Sequence, residues 1–264
     1  MKIGILGCAG RMGRALVQEV RATAGAELGG GMEPTGPAIG QDLGTLAGGE
    51  PLGVKVVSDA ATLFSTCDCV IDFTIASVVN AHVKLAAENK KTLVLGTTGL
   101  GDAARIAIAE GAKKTVIVQA ANFSVGVNLL LGLTEKVASM LGPDFDIDIL
   151  EMHHRHKVDA PSGTALALGE AAAKGRAVNL KDVGRRTRDG LVGARPPGEI
   201  GFATLRGGDV IGDHTVIFAA DGERIELTHK ASGRPIFARG AVRAALWTVG
   251  KGPGLFSMRD VLGL

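Results

Sequence analysis

The sequence predicts an α/β protein whose parallel sheet, covered by helices on both faces, is interrupted by an inserted α+β segment built on a mixed sheet. Three observations carry this. Short, wholly apolar runs alternate with amphipathic stretches through the first half of the chain. A glycine-rich turn joins the first such pair, and after "NFSVGVN" the apolar runs give way to strict alternation. Strands buried on both faces read as continuous apolar runs, whereas a strand with one wet face alternates.

"KIGILG" reads as the first strand, and Arg11–Thr23 as a helix with Met12, Leu16, Val17 and Val20 on one face. "AELGGGME" is a second strand diluted by glycines. Further strands are expected at "GVKVVSD", "CVIDFT", "KTLVLGTT" and "KTVIVQAAN", with helices between the last few. Such alternation implies parallel pairing, because each helical crossover returns the chain to the same end of the sheet. A helix over Val125–Met140 precedes Pro143. "DFDIDILEMH" then sets Phe145, Ile147 and Ile149 on one face and Asp146 and Asp148 on the other. "EIGFATLRGGDVIGDHTVIFAADGERIELTHKA" continues with short strands and glycine-rich turns. From Arg234 a helix offers Ala241, Ala244, Ala245 and Trp247 for packing. The expected organisation is a nucleotide-type domain over 1–124, an inserted domain over 125–233, and a return to the first domain over 234–264.

A chain of 264 residues, 46% of them hydrophobic, holds one large domain or two ordinary ones. Lys and Arg total 29 against 27 Asp and Glu, so no general field draws the chain to nucleic acid or anionic membrane. With no tyrosine and one tryptophan, a base-stacking surface is not expected either. Cys8, Cys67 and Cys69 have no repeated spacing and read as small buried side chains rather than a disulfide framework or a metal site. Met1-Lys2 leads straight into "IGILG", too short for a signal-peptide core, and no run approaches transmembrane length. A cytoplasmic protein is expected.

Gly7, Gly10 and Gly13 lie three apart between the first strand and the first helix. The first allows a tight turn, the second lets backbone approach a pyrophosphate, and the third lets helix pack closely on strand. The spacing differs from the commoner G-x-G-x-x-G, but Glu33 follows twenty residues after Gly13, placed to accept hydrogen bonds from ribose hydroxyls. Glycines serving packing alone are the competing reading. "DFT" (Asp72–Thr74), "GTTG" (Gly96–Gly99) and "AANF" (Ala120–Phe123) fall just past predicted strands. Their amides and hydroxyls are candidates to hold a nicotinamide and its ribose.

The densest chemistry is "HHRHK", His153–Lys157, where three of the six histidines gather. Zinc is disfavoured, because the histidines lack helical spacing and no cysteine or carboxylate follows at a familiar interval. A solvated basic loop is a second reading. The third is chemical: Ser162-Gly163-Thr164 opens the strong helix former "ALALGEAAAK", and a helix start with basic side chains beside it suits a carboxylate. A lysine or histidine there can also move a proton.

At this point the residues resemble a known family. "GCAGRMGR", "GTTG", "AANFSVGVN", "HHRHKVDAPSGTA" and "GFATLRGGDVIGDHTV" look like the 4-hydroxy-tetrahydrodipicolinate reductases, also called dihydrodipicolinate reductases, of lysine and diaminopimelate biosynthesis. "LTHKASGR" and "GLFSMRDVLGL" extend the likeness over nearly the whole chain. The resemblance implies a Rossmann-type domain carrying an inserted mixed-sheet domain for substrate binding and oligomerisation, assembled as a homotetramer. It implies NADH or NADPH as cofactor, held by Gly7, Cys8, Ala9, Gly10, Arg11, Met12, Glu33, Gly96, Thr97, Thr98, Ala120, Ala121, Asn122 and Phe123. His153 and Lys157 resemble the family's proton-transfer residues, and His154, Gly163 and Thr164 its binding residues for a small-molecule dicarboxylate substrate. No metal is implied. Members that accept NADPH readily often carry arginine after the acid; here Pro34 stands there, so NADH is the favoured cofactor. Two rivals remain: another reductase of amino-acid metabolism such as an aspartate or homoserine dehydrogenase, and a redox-sensing regulator. "HHRHKVDAPSGTA" opposes the first, and the missing basic helix-turn-helix opposes the second.

Overall fold

Four buried residues, Ile3, Gly4, Ile5 and Leu6, follow Lys2 in β1 (Lys2–Leu6), after which Gly7 turns the chain with φ +68° into α1 (Arg11–Ala22). The computed structural model describes all 264 residues. β2 (Glu27–Met32), a single turn α2 (Leu43–Leu46), β3 (Val56–Val57), α3 (Ala60–Thr66) and β4 (Cys69–Asp72) follow. Then come α4 (Val79–Asn89), β5 (Thr92–Leu95), α5 (Asp102–Ala112) and β6 (Val116–Gln119). α6 (Val125–Met140) has the bounds its periodicity predicts. Chain contacts divide the molecule into two units, Met1–Val125 with Arg234–Gly263, and Gly126–Gly233 with Leu264.

The glycines that dilute β2 have a packing cause. A β-carbon at Gly29 would sit 2.7 Å from the Cys67 sulfur, one at Gly30 2.6 Å from Leu63 Cδ2, and one at Gly31 2.9 Å from the Cys8 sulfur. Side chains are absent there so that α3 and the first loop can lie close on the sheet. The predicted third strand shrinks to Val56–Val57, because it is the sheet's outermost strand and pairs with β2 alone.

The second unit holds β7 (Asp146–His153), α7 (Gly163–Gly175), α8 (Leu180–Val183), β8 (Gly184–Arg185), β9 (Ile200–Arg206), β10 (Gly212–Ala220) and β11 (Glu223–Ala231). The chain then returns to the first unit through α9 (Pro235–Trp247), β12 (Gly254–Phe256) and α10 (Met258–Leu262). β12, too short and rich in glycine for its pattern to reveal, pairs with β6.

The first sheet is parallel throughout, in the order β12-β6-β5-β4-β1-β2-β3. On one face Ile3, Ile5 and Ile71 pack with Leu16, Val17 and Val20 of α1 and with Ala238, Ala241, Ala244 and Ala245 of α9. On the other, Val70, Leu93 and Ile117 pack with Leu63, Val83 and Ile108 of α3, α4 and α5. Cys8, Cys67 and Cys69 are free thiols buried within this unit.

The second sheet is mixed, ordered β11-β10-β7-β9-β8, with β7 antiparallel to β10 and parallel to β9. Ile147 and Ile149 of β7, Phe202 of β9 and Val216 and Phe218 of β10 pack on Leu130 and Ala138 of α6 and on Ala165, Leu168 and Ala172 of α7. The alternation predicted for β7 thus buries one face, and that same face runs on to Glu151 and His153.

Candidate active site

In the first unit, the end of β2 closes the glycine loop, with the Gly7 amide donating to the Met32 carbonyl at 2.9 Å. Gly10 is the N-cap of α1 and supplies no side-chain cap, and the first turn carries no acid. The amides opening this 12-residue helix therefore face no carboxylate of their own, and a β-carbon at Gly10 would crowd the Gly7 carbonyl at 3.2 Å. The cradle fits an anionic pyrophosphate. Glu33 sits against it, yet its Oε1 accepts from the Ala9 amide at 2.6 Å. One carboxylate oxygen is therefore committed to pinning the loop. Arg14 is committed as well, its Nε donating to the Ala9 carbonyl at 2.9 Å.

Beside the cradle a cavity of about 340 Å³ is lined by Arg11, Met12, Phe73, Gly96, Ala121, Asn122, Phe123 and, unforeseen from sequence, Arg234 and Phe237. Gly96 exists for Phe73, whose Cδ1 lies 2.7 Å from where a β-carbon would stand. The structure narrows what three of the named residues can offer a ligand. Cys8 is fully buried, and with desolvation and the Glu33 charge pushing its thiol up to about 12, only its backbone is available to a ligand. Thr97 and Thr74 turn their hydroxyls inward to Asp72 Oδ1, at 3.2 and 2.6 Å, instead of outward to a ligand. Asp72 Oδ2 is held at 2.7 Å from Nδ1 of His82. Burial alone would raise that carboxyl, but the His82 and Thr74 hydrogen bonds outweigh it and hold Asp72 below the usual range. Thr98 is exposed on the loop beyond, and Ala120 donates to the Leu95 carbonyl at 3.2 Å, which binds the ends of β5 and β6 together.

In the second unit, the three histidines do not converge as a metal set. His153 ends β7 facing inward, its ring 5.1 Å from that of His214, while His154 and His156 lie 6.2 Å apart beyond the strand. Glu151, 1% exposed, organises what lies around His153. Its Oε2 meets His153 Nδ1 at 2.6 Å and Arg206 Nη1 at 2.8 Å, and its Oε1 accepts from the Ser162 amide and Arg206 Nη2, each at 2.9 Å. Burial by itself would raise the Glu151 carboxyl; Arg206, His153 and Ser162 reverse that and keep it ionised at neutral pH. Burial lowers His153, only partly offset by Glu151, so the imidazole is neutral at pH 7. His214, more deeply buried and beside His153, is pushed down to about 4.

Ser162 caps α7 by accepting from the Ala165 amide at 3.1 Å, and its hydroxyl pairs with His214 Nε2 at 3.0 Å. A β-carbon at Gly163 would meet nothing within 4 Å, so the helix start is open at this residue, with Thr164 next to it. Lys157 Nζ donates to Asp159 at 2.8 Å. Glu151 thus joins His153 to the Ser162 amide that precedes Gly163 and Thr164, and Arg206 links it through the Asp159 carbonyl to the residue that holds Lys157. Sequence reading missed Glu151, Arg206 and His214. The signal for Glu151 was present: a carboxylate continuing the apolar face of an alternating strand needs a buried partner.

Residues 1–123 match the family model described as "Dihydrodipicolinate reductase, N-terminus", and residues 126–262 match its C-terminal counterpart. The chain belongs to the dihydrodipicolinate reductase family. It is 54% identical to the 4-hydroxy-tetrahydrodipicolinate reductase of Parvibaculum lavamentivorans, covering 100% of this chain and 98% of that one. The reductase of Methylocella silvestris is 55% identical, with 100% and 97% covered. Among solved structures, dipicolinate-bound dihydrodipicolinate reductase from Paenisporosarcina sp. TG-14 superposes with a TM-score of 0.79 at 27% identity over 98% of each chain. Aspartate dehydrogenase from Thermotoga maritima shares the fold alone, with a TM-score of 0.52 at 11% identity over 96% of this chain and 98% of that one. A dihydrodipicolinate reductase accounts for both sheets, the open glycine cradle and the histidine cluster together.

Proposed function

We propose that the chain reduces 4-hydroxy-2,3,4,5-tetrahydrodipicolinate to tetrahydrodipicolinate with loss of water, in lysine and diaminopimelate biosynthesis, using NADH in preference to NADPH. The observation that carries this reading is the joining of His153 and the start of α7 on Glu151, with Lys157 linked to it through Asp159 and Arg206. Counting the imine carbon as C2, loss of the C4 hydroxyl and a C3 proton as water leaves a double bond conjugated with the ring imine, and a reduced nicotinamide held by the first unit would supply the hydride to C4. Gly163 and Thr164 hold one substrate carboxylate at the helix start, and His154 with the basic loop holds the other. Lys157 then protonates C3 of the resulting enamine, and neutral His153 assists through its Nε2. The cofactor residues are those of the glycine loop, Glu33 and the two strand-end loops, with Cys8 and Thr97 contributing backbone.

Glu33 carries the cofactor preference. One oxygen fixes Ala9, the other is left for ribose hydroxyls, and the charge repels a 2′-phosphate. Pro34 offers no compensating cation, and Arg14 is folded onto the loop, which leaves Arg11 at the helix start as the arginine nearest in sequence to the glycine loop. At a solvent-facing site the difference is about 1–2 kcal/mol, or roughly five- to thirtyfold in kcat/KM for NADH over NADPH. Steady-state kinetics on freshly made substrate with both nicotinamides test activity and preference together. No turnover sinks the function; a preference for NADPH sinks the role of Glu33. Pro34→Arg should raise kcat/KM for NADPH, whereas Glu33→Ala should weaken both cofactors, because it also frees the Ala9 amide.

The proposed homotetramer is supported by the uncovered face of the second sheet. Met152 and Leu205 stand opposite each other in register there, and Leu150 and Ile217 lie partly exposed on the same face. Sedimentation should give about four times 27.0 kDa; a monomer would remove this proposal.

A further inference from the structure

We propose that Glu151 is a positioning residue that fixes which nitrogen of His153 exchanges protons and holds the substrate-binding helix start and the Lys157 loop in register with it. The inference rests on the assignment of His153 and Lys157 to proton transfer. Its foundation is geometric. Glu151 is the one group bonded at once to the His153 ring, to the backbone of Ser162 at the head of α7, and to both terminal nitrogens of Arg206. Arg206 passes the constraint on, since its Nη2 also donates to the Asp159 carbonyl at 2.7 Å, and the Asp159 side chain holds Lys157. Thr204, in register with Glu151 on β9, adds a weaker contact at 3.4 Å.

The tautomer follows from donor chemistry. An ionised carboxylate only accepts, so the His153 nitrogen facing it must carry the hydrogen. That nitrogen is Nδ1, which leaves the Nε2 lone pair as the exchanging site. A β-carbon at position 212 would lie 3.0 Å from Nε2, so Gly212 keeps the working nitrogen uncovered from β10. The charged and titratable groups around His153 are Glu151 on its own strand, Arg206 on β9, His214 on β10 and Lys157 in the loop that follows. Glu151 is the only anion among them. Without it, the two cations Arg206 and Lys157 would act on the ring unopposed, the Ser162 amide would lose its acceptor, and Arg206 would be left without its buried partner.

The test uses full-length protein labelled with [¹⁵N]histidine, with the His153 signals identified by their loss in His153→Gln. In the wild type, neutral His153 should show a protonated Nδ1 and an unprotonated Nε2. The opposite tautomer overturns the proposal without any variant at Glu151. In Glu151→Gln the His153 titration should move to lower pH, because a group that favours the imidazolium has been removed. The kcat should fall about 10–100-fold, and its His153-dependent limb should shift in the same direction. Glu151→Asp, which keeps the charge, should return the titration toward wild type. An unchanged His153 titration and tautomer in folded Glu151→Gln overturns the positioning role, since a merely structural residue would leave both alone. The reading beneath it fails separately: undiminished kcat in His153→Ala would sink proton transfer by His153 while leaving the tautomer measurement intact.

Discussion

Lys157→Ala is expected to lower kcat by about 10²–10⁴-fold, the range for loss of a positioned general acid. The side chain is 21% exposed and makes one ion pair, with a well-exposed Asp159, so its removal should leave folding nearly untouched. If Lys157 also holds a substrate carboxylate, KM rises as well. The pH dependence provides an internal check. The Lys157 charge helps depress both His153 and His214, so removing it should let each bind a proton more readily and move its titration to higher pH. Lys157→Arg separates the two roles: guanidinium keeps the charge but does not release a proton near neutrality, so binding should recover while kcat does not. Single-turnover and steady-state kinetics read these outcomes. A Lys157→Ala enzyme that keeps more than half of wild-type kcat removes the lysine from the chemistry.

Gly13→Ala should be among the more damaging single methyls in the first unit. A β-carbon there would stand 2.6 Å from Cys8 Cα and 2.7 Å from Cys8 carbonyl carbon, and still closer to the Gly7 carbonyl oxygen. All are backbone atoms, so no side chain can swing away, and α1 must lift off the loop it packs against. Overpacking of this kind costs about 3 kcal/mol, which lowers Tm by roughly 6–12 °C in a protein of this size. The displaced helix start also carries the cradle amides, so NADH affinity should fall with stability. Gly252→Ala is the control, because its new β-carbon meets nothing within 4 Å. Thermal melting and NADH titration on both variants decide it; equal stability would show that the third glycine is not a packing device.

That glycine illustrates what the sequence made legible. Spacing alone pointed to close helix–strand packing, and the structure supplies the backbone atoms responsible. Period likewise revealed β7 and α6, because burial of one face imposes a repeat that survives in any single sequence. Pairing leaves no such mark. Arg206 and His214 lie 55 and 52 residues from the groups they satisfy, Glu151 and Ser162, and no local pattern encodes those distances. The hydroxyl of Thr97 was misdirected for the same reason, since Asp72 claims it across 25 residues. Edge strands were hard to read for a different cause. β3 and β12 each have a neighbour on one side only, so two or three residues suffice and little apolar patterning is required.

The placement of the cysteines has an experimental consequence. All three thiols belong to the first unit, all are sealed from solvent, and burial pushes each away from the reactive thiolate. An alkylating reagent can reach them only when the surrounding structure opens, so the labelling rate becomes a clock for fluctuations of that unit alone. The clock has two hands. Cys8 lies in the glycine loop, whereas Cys67 and Cys69 flank the start of β4, so site-resolved mass spectrometry can time the opening of the cradle apart from that of the sheet. Because the second unit contributes no thiol, its motions add nothing to either reading.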